Sequence, residues 1–177
     1  MMKKHTFVRH GVCTFAVMLL CASSAFAQAA GPRPLTPVNL SGPRVGATFL
    51  SPGVAQKLKD NQIDAGWAIS QFGWQFEKRF KTGSSGLSAV NEWVFLAGGL
   101  EQGVVIPSLS WLVGLRTGSG LEFGLGPNVT PAGVALAFAG GVTVSKGALN
   151  VPFNVAVVPS KAGMRVSVLT GFNMRRR

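Results

Sequence analysis

Arg116 and Glu122 flank the segment Thr117-Gly118-Ser119-Gly120-Leu121. If Gly118-Ser119-Gly120 is a three-residue hairpin loop, the two charges face each other across neighbouring strands, and the same register brings Leu115 to Phe123 and Gly114 to Gly124. An Arg opposite a Glu on one sheet face makes a charge-assisted hydrogen bond. Four more polar residues from other segments, Arg165, Glu92, Glu77 and Gln75, are expected on the same inward face. The chemistry this set supports is mutual satisfaction: a structural polar network in a lumen, not a catalytic centre.

Little else in the chain could react. The first 27 residues read as a secretory signal peptide, with Lys3, Lys4 and Arg9 as the basic start, Val12 to Ala22 as the apolar run and Ala25-Phe26-Ala27 as the cleavage site. That run is shorter than the about 20 residues of a spanning helix. At Leu20-Cys21 a bulky Leu stands where lipoprotein processing wants a small residue. Removal takes Cys13, Cys21, His5 and His10, so the expected mature chain has no Cys, no His and no Tyr. A disulfide framework, a thiolate metal site and any nucleophile assisted by Cys or His are thereby excluded. Ser145-Lys146 and Ser160-Lys161 are neighbours whose side chains point to opposite faces of a strand, so they make no Ser/Lys dyad.

The six acids lack metal-loop spacing. Gly118-Ser119-Gly120 and Gly124-Leu125-Gly126 lack the phosphate-binding continuation and read as turn and close-packing glycines. Asn39-Leu40-Ser41 and Asn128-Val129-Thr130 fit the glycosylation sequon, as two chance matches would. Of 17 Lys and Arg, three leave with the signal, and the remaining 14 against six acids give a net charge near +8. This excess is not clustered with aromatics as nucleic-acid binding asks. No catalytic residue, cofactor or metal is expected, and the chain reads as a non-enzyme.

The elements that position the polar set are strands. In Leu121 to Ser145, Leu121, Phe123 and Leu125 alternate with Glu122, Gly124 and Gly126; beyond a Pro/Gly-rich turn, Val134, Leu136, Phe138, Val142 and Val144 alternate with small residues. The same pattern predicts strands over 44–50, 66–78, 88–97, 104–116, 149–158 and 164–173, eight in all. Ser51-Pro52 begins a short helix over 54–61, expected as a surface loop and the best candidate for external contact. Between Ser145 and Asn150, facing demands a two-residue turn, Gly147-Ala148, of type II′. The expected organisation is a signal peptide (1–27), a flexible N-terminal segment (28–42), a barrel (43–174) and a basic tail (175–177).

One face of these strands is large and apolar, with Phe72, Trp74, Trp111, Phe123, Phe138, Phe153 and Phe172; the other is mainly Gly, Ala, Ser, Thr and Asn. A water-facing surface would carry many Lys and Glu, whereas small residues suit the tight lumen of an eight-stranded barrel. The expectation is therefore an all-β fold: an eight-stranded antiparallel up-and-down transmembrane β-barrel in the cell outer membrane, with the named aromatics toward lipid and membrane lipids as partners. Trp67, Trp74, Trp93 and Trp111 are candidates for interfacial girdles. Strand parity gathers Lys78, Arg79, Lys81, Lys146 and Arg175, Arg176 and Arg177 at the end that carries the termini, a rim suited to anionic headgroups. The rival expectation is a soluble periplasmic β-barrel whose internal pocket, lined by Phe123, Phe138, Phe153 and Trp111, holds a lipid or other apolar ligand.

Gln71-Phe72-Gly73-Trp74-Gln75-Phe76, the short-turn hairpins and the strand Val166-Ser167-Val168-Leu169-Thr170-Gly171-Phe172 resemble the small eight-stranded outer-membrane β-barrel proteins of Gram-negative bacteria over residues 43–173. The resemblance implies a membrane barrel serving as an adhesin, anchor or enzyme, without choosing among them. Such barrels usually end on an aromatic residue; here Phe172 is followed by Asn-Met-Arg-Arg-Arg.

Overall fold

In the computed structural model, residues 40–81 and 86–174 are described. The expected signal peptide, most of the N-terminal segment and the three terminal arginines lie outside them. Eight antiparallel strands follow in chain order: β1 Gly42–Leu50, β2 Ala68–Lys81, β3 Ser88–Gly98, β4 Ile106–Arg116, β5 Leu121–Thr130, β6 Gly133–Lys146, β7 Leu149–Ser160 and β8 Gly163–Gly171. Each pairs with its sequence neighbours, and β8 pairs with β1. The result is the closed up-and-down barrel that alternation predicts.

The register fixes its dimensions. Gly42 lies opposite Gln75, Gln75 opposite Val94, Val94 opposite Ser110, Ser110 opposite Asn128 and Asn128 opposite Ala135. Continuing the remaining registers takes Ala135 to Ser160, Ser160 to Gly163 and Gly163 to Pro52. The path returns to the first strand ten residues beyond its start. Eight strands with that stagger tilt by about 40° and enclose a backbone radius of about 8 Å. Such curvature leaves some inward positions no room for a side chain: a Cβ on Gly73 would stand 1.8 Å from the Phe95 carbonyl oxygen.

Both turns derived from facing are present. Arg116 pairs with Glu122, Leu115 with Phe123 and Gly114 with Gly124. Val144 pairs with Val151 and Ser145 with Asn150, and Gly147 has φ +62 as the first position of a II′ turn requires. The Pro/Gly-rich turn expected between Gly126 and Val134 is shorter than its Pro/Gly content suggests. β5 runs through Pro127 to Thr130, and only Pro131-Ala132 connects it to β6. Pro127 has no N–H to donate, and the β4–β5 ladder is interrupted opposite it, between Ser110–Asn128 and Val113–Leu125. A second proline acts likewise at the C-terminal end. Asn173–Met174 resumes pairing with β7 in the register of β8, so this short strand, β9, continues β8 across a break at Phe172, close to Pro152 on the opposing strand.

The helix stands in the loop between β1 and β2, where the sequence places it. α1, Pro52–Asp60, starts from Ser51 with Pro at its first position and carries Lys57 and Lys59 in its last turn. Within that loop it also forms a plug across one mouth of the barrel. Val54 and Leu58 are buried and pack with Leu50, Ala65, Ile69 and Ile106. Ser51 Oγ accepts from the Met164 N–H at 3.0 Å, and Asn61 Nδ2 donates to the Pro131 carbonyl at 3.0 Å, so the plug is fastened on β8 and on the β5–β6 turn. Below it a second apolar cluster, Val94, Leu96, Leu112, Ala137, Val158 and Leu169, fills the middle of the lumen. These residues explain why the inward face of β3 is not purely polar. Leu58→Ala is expected to loosen the plug by roughly 2–5 kcal/mol; limited trypsin digestion should then cut after Lys57 and Lys59 faster than in the unchanged barrel.

Candidate functional site

At the end opposite α1 the lumen is ionic. The hairpin register carries Arg116 to the base of β4, facing Glu122 on β5, and inward alternation on β2 and β3 adds Glu77 and Glu92, which are paired residues. All four are buried. The Arg116 guanidinium engages three carboxylates: Nη1 and Nη2 donate to the two Glu77 oxygens at 2.6 and 2.7 Å, Nε donates to Glu122 Oε2 at 2.7 Å, and Nη2 also reaches Glu92 Oε1 at 3.3 Å. Asn154 Nδ2 donates to the other Glu122 oxygen. The planar fork suits this bidentate arrangement.

Gln75 lies beside the cluster and accepts from Arg44 Nε at 3.0 Å. Arg44 was not singled out from the sequence, although it shares the inward parity of Gly46, Thr48 and Leu50. It is 2% exposed and is further held by the Pro43 and Leu40 carbonyls. Two arginines thus stand among three glutamates, and Gln75, Glu92 and Glu122 also line a cavity inside the lumen.

Arg165 is not part of this cluster. It faces Leu50 and Val158, four residues along β7 from Asn154, which at about 3.3 Å per residue is about 13 Å toward the plugged end. Its guanidinium instead donates to the Thr130 hydroxyl. Alternation gave its facing; its height depends on the stagger accumulated around the ring.

The outer face is the complement. Phe72, Trp74, Trp111, Phe123, Phe138, Phe153 and Phe172 all point outward and are exposed. The internal pocket expected of Phe123, Phe138, Phe153 and Trp111 is therefore absent. Among the described residues, Lys78 and Lys146 are the only charges on outward strand positions, and strand direction puts both at the end carrying Asn173–Met174. Arg79, expected with them at the rim, has inward parity and donates to Ser88 Oγ at 2.5 Å. Arg175, Arg176 and Arg177 lie outside the described residues.

The tryptophans do not form two rings. Trp74, Trp93 and Trp111 sit near the middles of β2, β3 and β4. Trp93 faces Trp111 with ring centroids 5.8 Å apart, and Trp74 faces Phe95. The Trp111 indole N–H donates to Asn91 Oδ1 at 2.6 Å. Trp67 stands apart near the plug, stacked on Phe49.

At the plugged end the single 3-10 turn Leu100–Gln102 is clamped onto the start of β2. Glu101 accepts from the Ser70 hydroxyl and from its N–H, the latter at 2.8 Å, and Gln102 bridges the Gly66 N–H and the Ala68 carbonyl. The hydrogen bonds from Ser70 hold the Glu101 carboxyl below its ordinary range. Among the described residues no group of three or more His, Cys, Asp or Glu side chains is arranged to hold a metal.

Fold and site together define the class: a closed eight-stranded up-and-down β-barrel with an ion-paired cluster in its lumen and an apolar exterior. Comparison with protein-family models, with curated proteins and with solved structures gives no match.

Removing the central cation leaves three buried carboxylates without their donor. Arg116→Met is expected to destabilise the barrel by about 3–5 kcal/mol, read from the urea midpoint, and Arg116→Met combined with Glu77→Gln should recover part of the loss.

Proposed function

We propose that this chain is an integral outer-membrane β-barrel with a non-enzymatic structural or surface-interaction role. The observation that carries the reading is the distribution of polarity. Among the described residues, 28 large apolar side chains are exposed by 40% or more, whereas every strand-borne Arg and Glu is turned into the lumen and only Lys78 and Lys146, near one rim, face outward. Soluble monomers rarely expose contiguous apolar surface beyond a few hundred Å². A bilayer requires this inversion, together with a backbone ladder that has no open edge.

The height agrees. Eleven residues of β3, tilted by about 40°, rise about 27 Å, against an apolar band of about 25 Å in outer-membrane barrels. Asn91 gives the Trp111 N–H a partner within the protein, as an outward donor at mid-height in lipid needs.

With the termini on the periplasmic side, α1 faces outward from the cell. The polar side of α1, with Gln56, Lys57 and Lys59, is then the surface for external contact. Lys78 and Lys146 lie at the opposite rim, suited to anionic lipid headgroups.

Val155 is an outward residue near mid-height on β7. Val155→Arg should cost about 2–4 kcal/mol if this position meets acyl chains, and almost nothing if it meets water. Carbonate-resistant membrane association with heat-modifiable gel mobility is the expected fractionation result; release by osmotic shock, with Val155→Arg neutral, would assign the barrel to the periplasmic solution. Replacing Lys78 and Lys146 with Gln should weaken association with vesicles containing phosphatidylglycerol by about 1 kcal/mol per charge at low salt; unchanged binding at every salt concentration would remove the headgroup contact.

A further inference from the structure

The plugged half of the lumen holds a buried cation that no acid answers. Arg165 is 6% exposed. One guanidinium nitrogen donates to Thr130, and its Nε–H has no partner. The chain has six acidic residues, and each is engaged elsewhere. Glu77, Glu92 and Glu122 surround Arg116, Glu101 is taken by Ser70, Asp60 accepts from Gln56, and Asp64 faces Lys59 on the outside. A desolvated cation without a counter-charge is costly, and a bound anion would remove that cost.

The space beside it is built to receive one. A cavity of about 80 Å³ is lined by Arg165, by apolar and hydroxyl-bearing side chains, and also by Glu92 and Glu122, whose charges Arg116 answers. At roughly 10–15 Å³ per water, this exceeds the room for a single solvent molecule. Asn128, two residues below Thr130 on the inner face of β5, donates to the Ser108 and Ser110 hydroxyls at 2.9 and 2.8 Å. Each of those hydroxyls keeps its own proton for an acceptor in the cavity. Leu58 of α1, Ile69, Ile106 and Leu169 supply an apolar wall. One positive charge with hydroxyl donors suits a monoanion, and the wall suits a hydrocarbon tail. A doubly charged phosphate would exceed the single cation, and a halide would leave the wall unused.

We infer that the lumen beneath α1 is a binding site for a small monocarboxylate with a short aliphatic tail, its carboxylate on Arg165 and its tail against Leu58, Ile69 and Ile106. Entry requires α1 to lift, and few polar contacts fasten it. The site lies inside the ring, so it does not depend on what surrounds the barrel.

The test uses the folded barrel in detergent with propionate as probe, a size that a cavity of about 80 Å³ can hold. Propionate should bind saturably and raise the Tm, and chloride at equal concentration should not reproduce the effect. Arg165→Gln, folded as judged by heat-modifiable mobility, should bind about tenfold more weakly. In unaltered protein labelled with 15N-arginine, the Arg165 Nε–H resonance should move on titration, while those of Arg44, Arg79 and Arg116 stay in place; this readout holds even if Arg165→Gln fails to fold. No binding, an equal effect of chloride, or movement of the Arg116 resonance instead would overturn the assignment.

Discussion

Closure of the backbone ladder is the constraint from which the rest follows. Once β8 pairs with β1, each strand has a hydrogen-bonding neighbour on both sides, and two-residue alternation divides the side chains into an inner and an outer population. The inner population has a cylinder of about 8 Å backbone radius to fill. It must therefore be small where strands converge, as at Gly73, and must satisfy its own charges where it is polar. Arg116 meets the second demand by offering one rigid fork to three carboxylates. The network is not strong evidence for stability, since desolvation offsets much of the Coulomb attraction. It does permit ionised residues in a place that neither bulk water nor a free backbone group could serve.

The outer population is freed from packing by the same division. Its side chains touch only their neighbours on the curved surface, so nothing within the fold requires them to be large and apolar. Phe72, Trp74, Phe123 and Phe153 are nonetheless all apolar. Internal packing does not explain that choice.

Much of this was legible in the sequence because alternation is a local signal. Strand number, facing and the turns at Gly118-Ser119-Gly120 and Gly147-Ala148 each depend on residues close together in the chain. The misplacement of Arg165 has the opposite origin. Facing is set by parity, but height depends on the sum of all the inter-strand staggers, and no single hairpin reveals that sum. The same applies to Trp74, Trp93 and Trp111, which share a patch because three registers align them. α1 was recognised from Ser51-Pro52, but its destination was not. Only Val54 and Leu58 mark the buried side, and two residues of a nine-residue helix do not say what they will meet.

The two halves of the lumen solve one problem in different ways. At the end with the termini, arginines and glutamates from several strands cross-link the wall from within, so no separate element is needed to cover that space. At the other end the inward residues are mainly Leu, Ile, Val and Ala, which cannot cross-link and would meet water at the mouth. A short helix with two apolar residues covers them, contributing a roof through burial where the opposite end uses charge. Arg165 is the exception on the apolar side: a cation beneath a hydrophobic roof, reaching across to Thr130 with no acid nearby. In a wall built otherwise to cancel its own charges, that residue has a cost that the fold alone does not offset, and this separates a position shaped for a guest from one shaped only for the barrel.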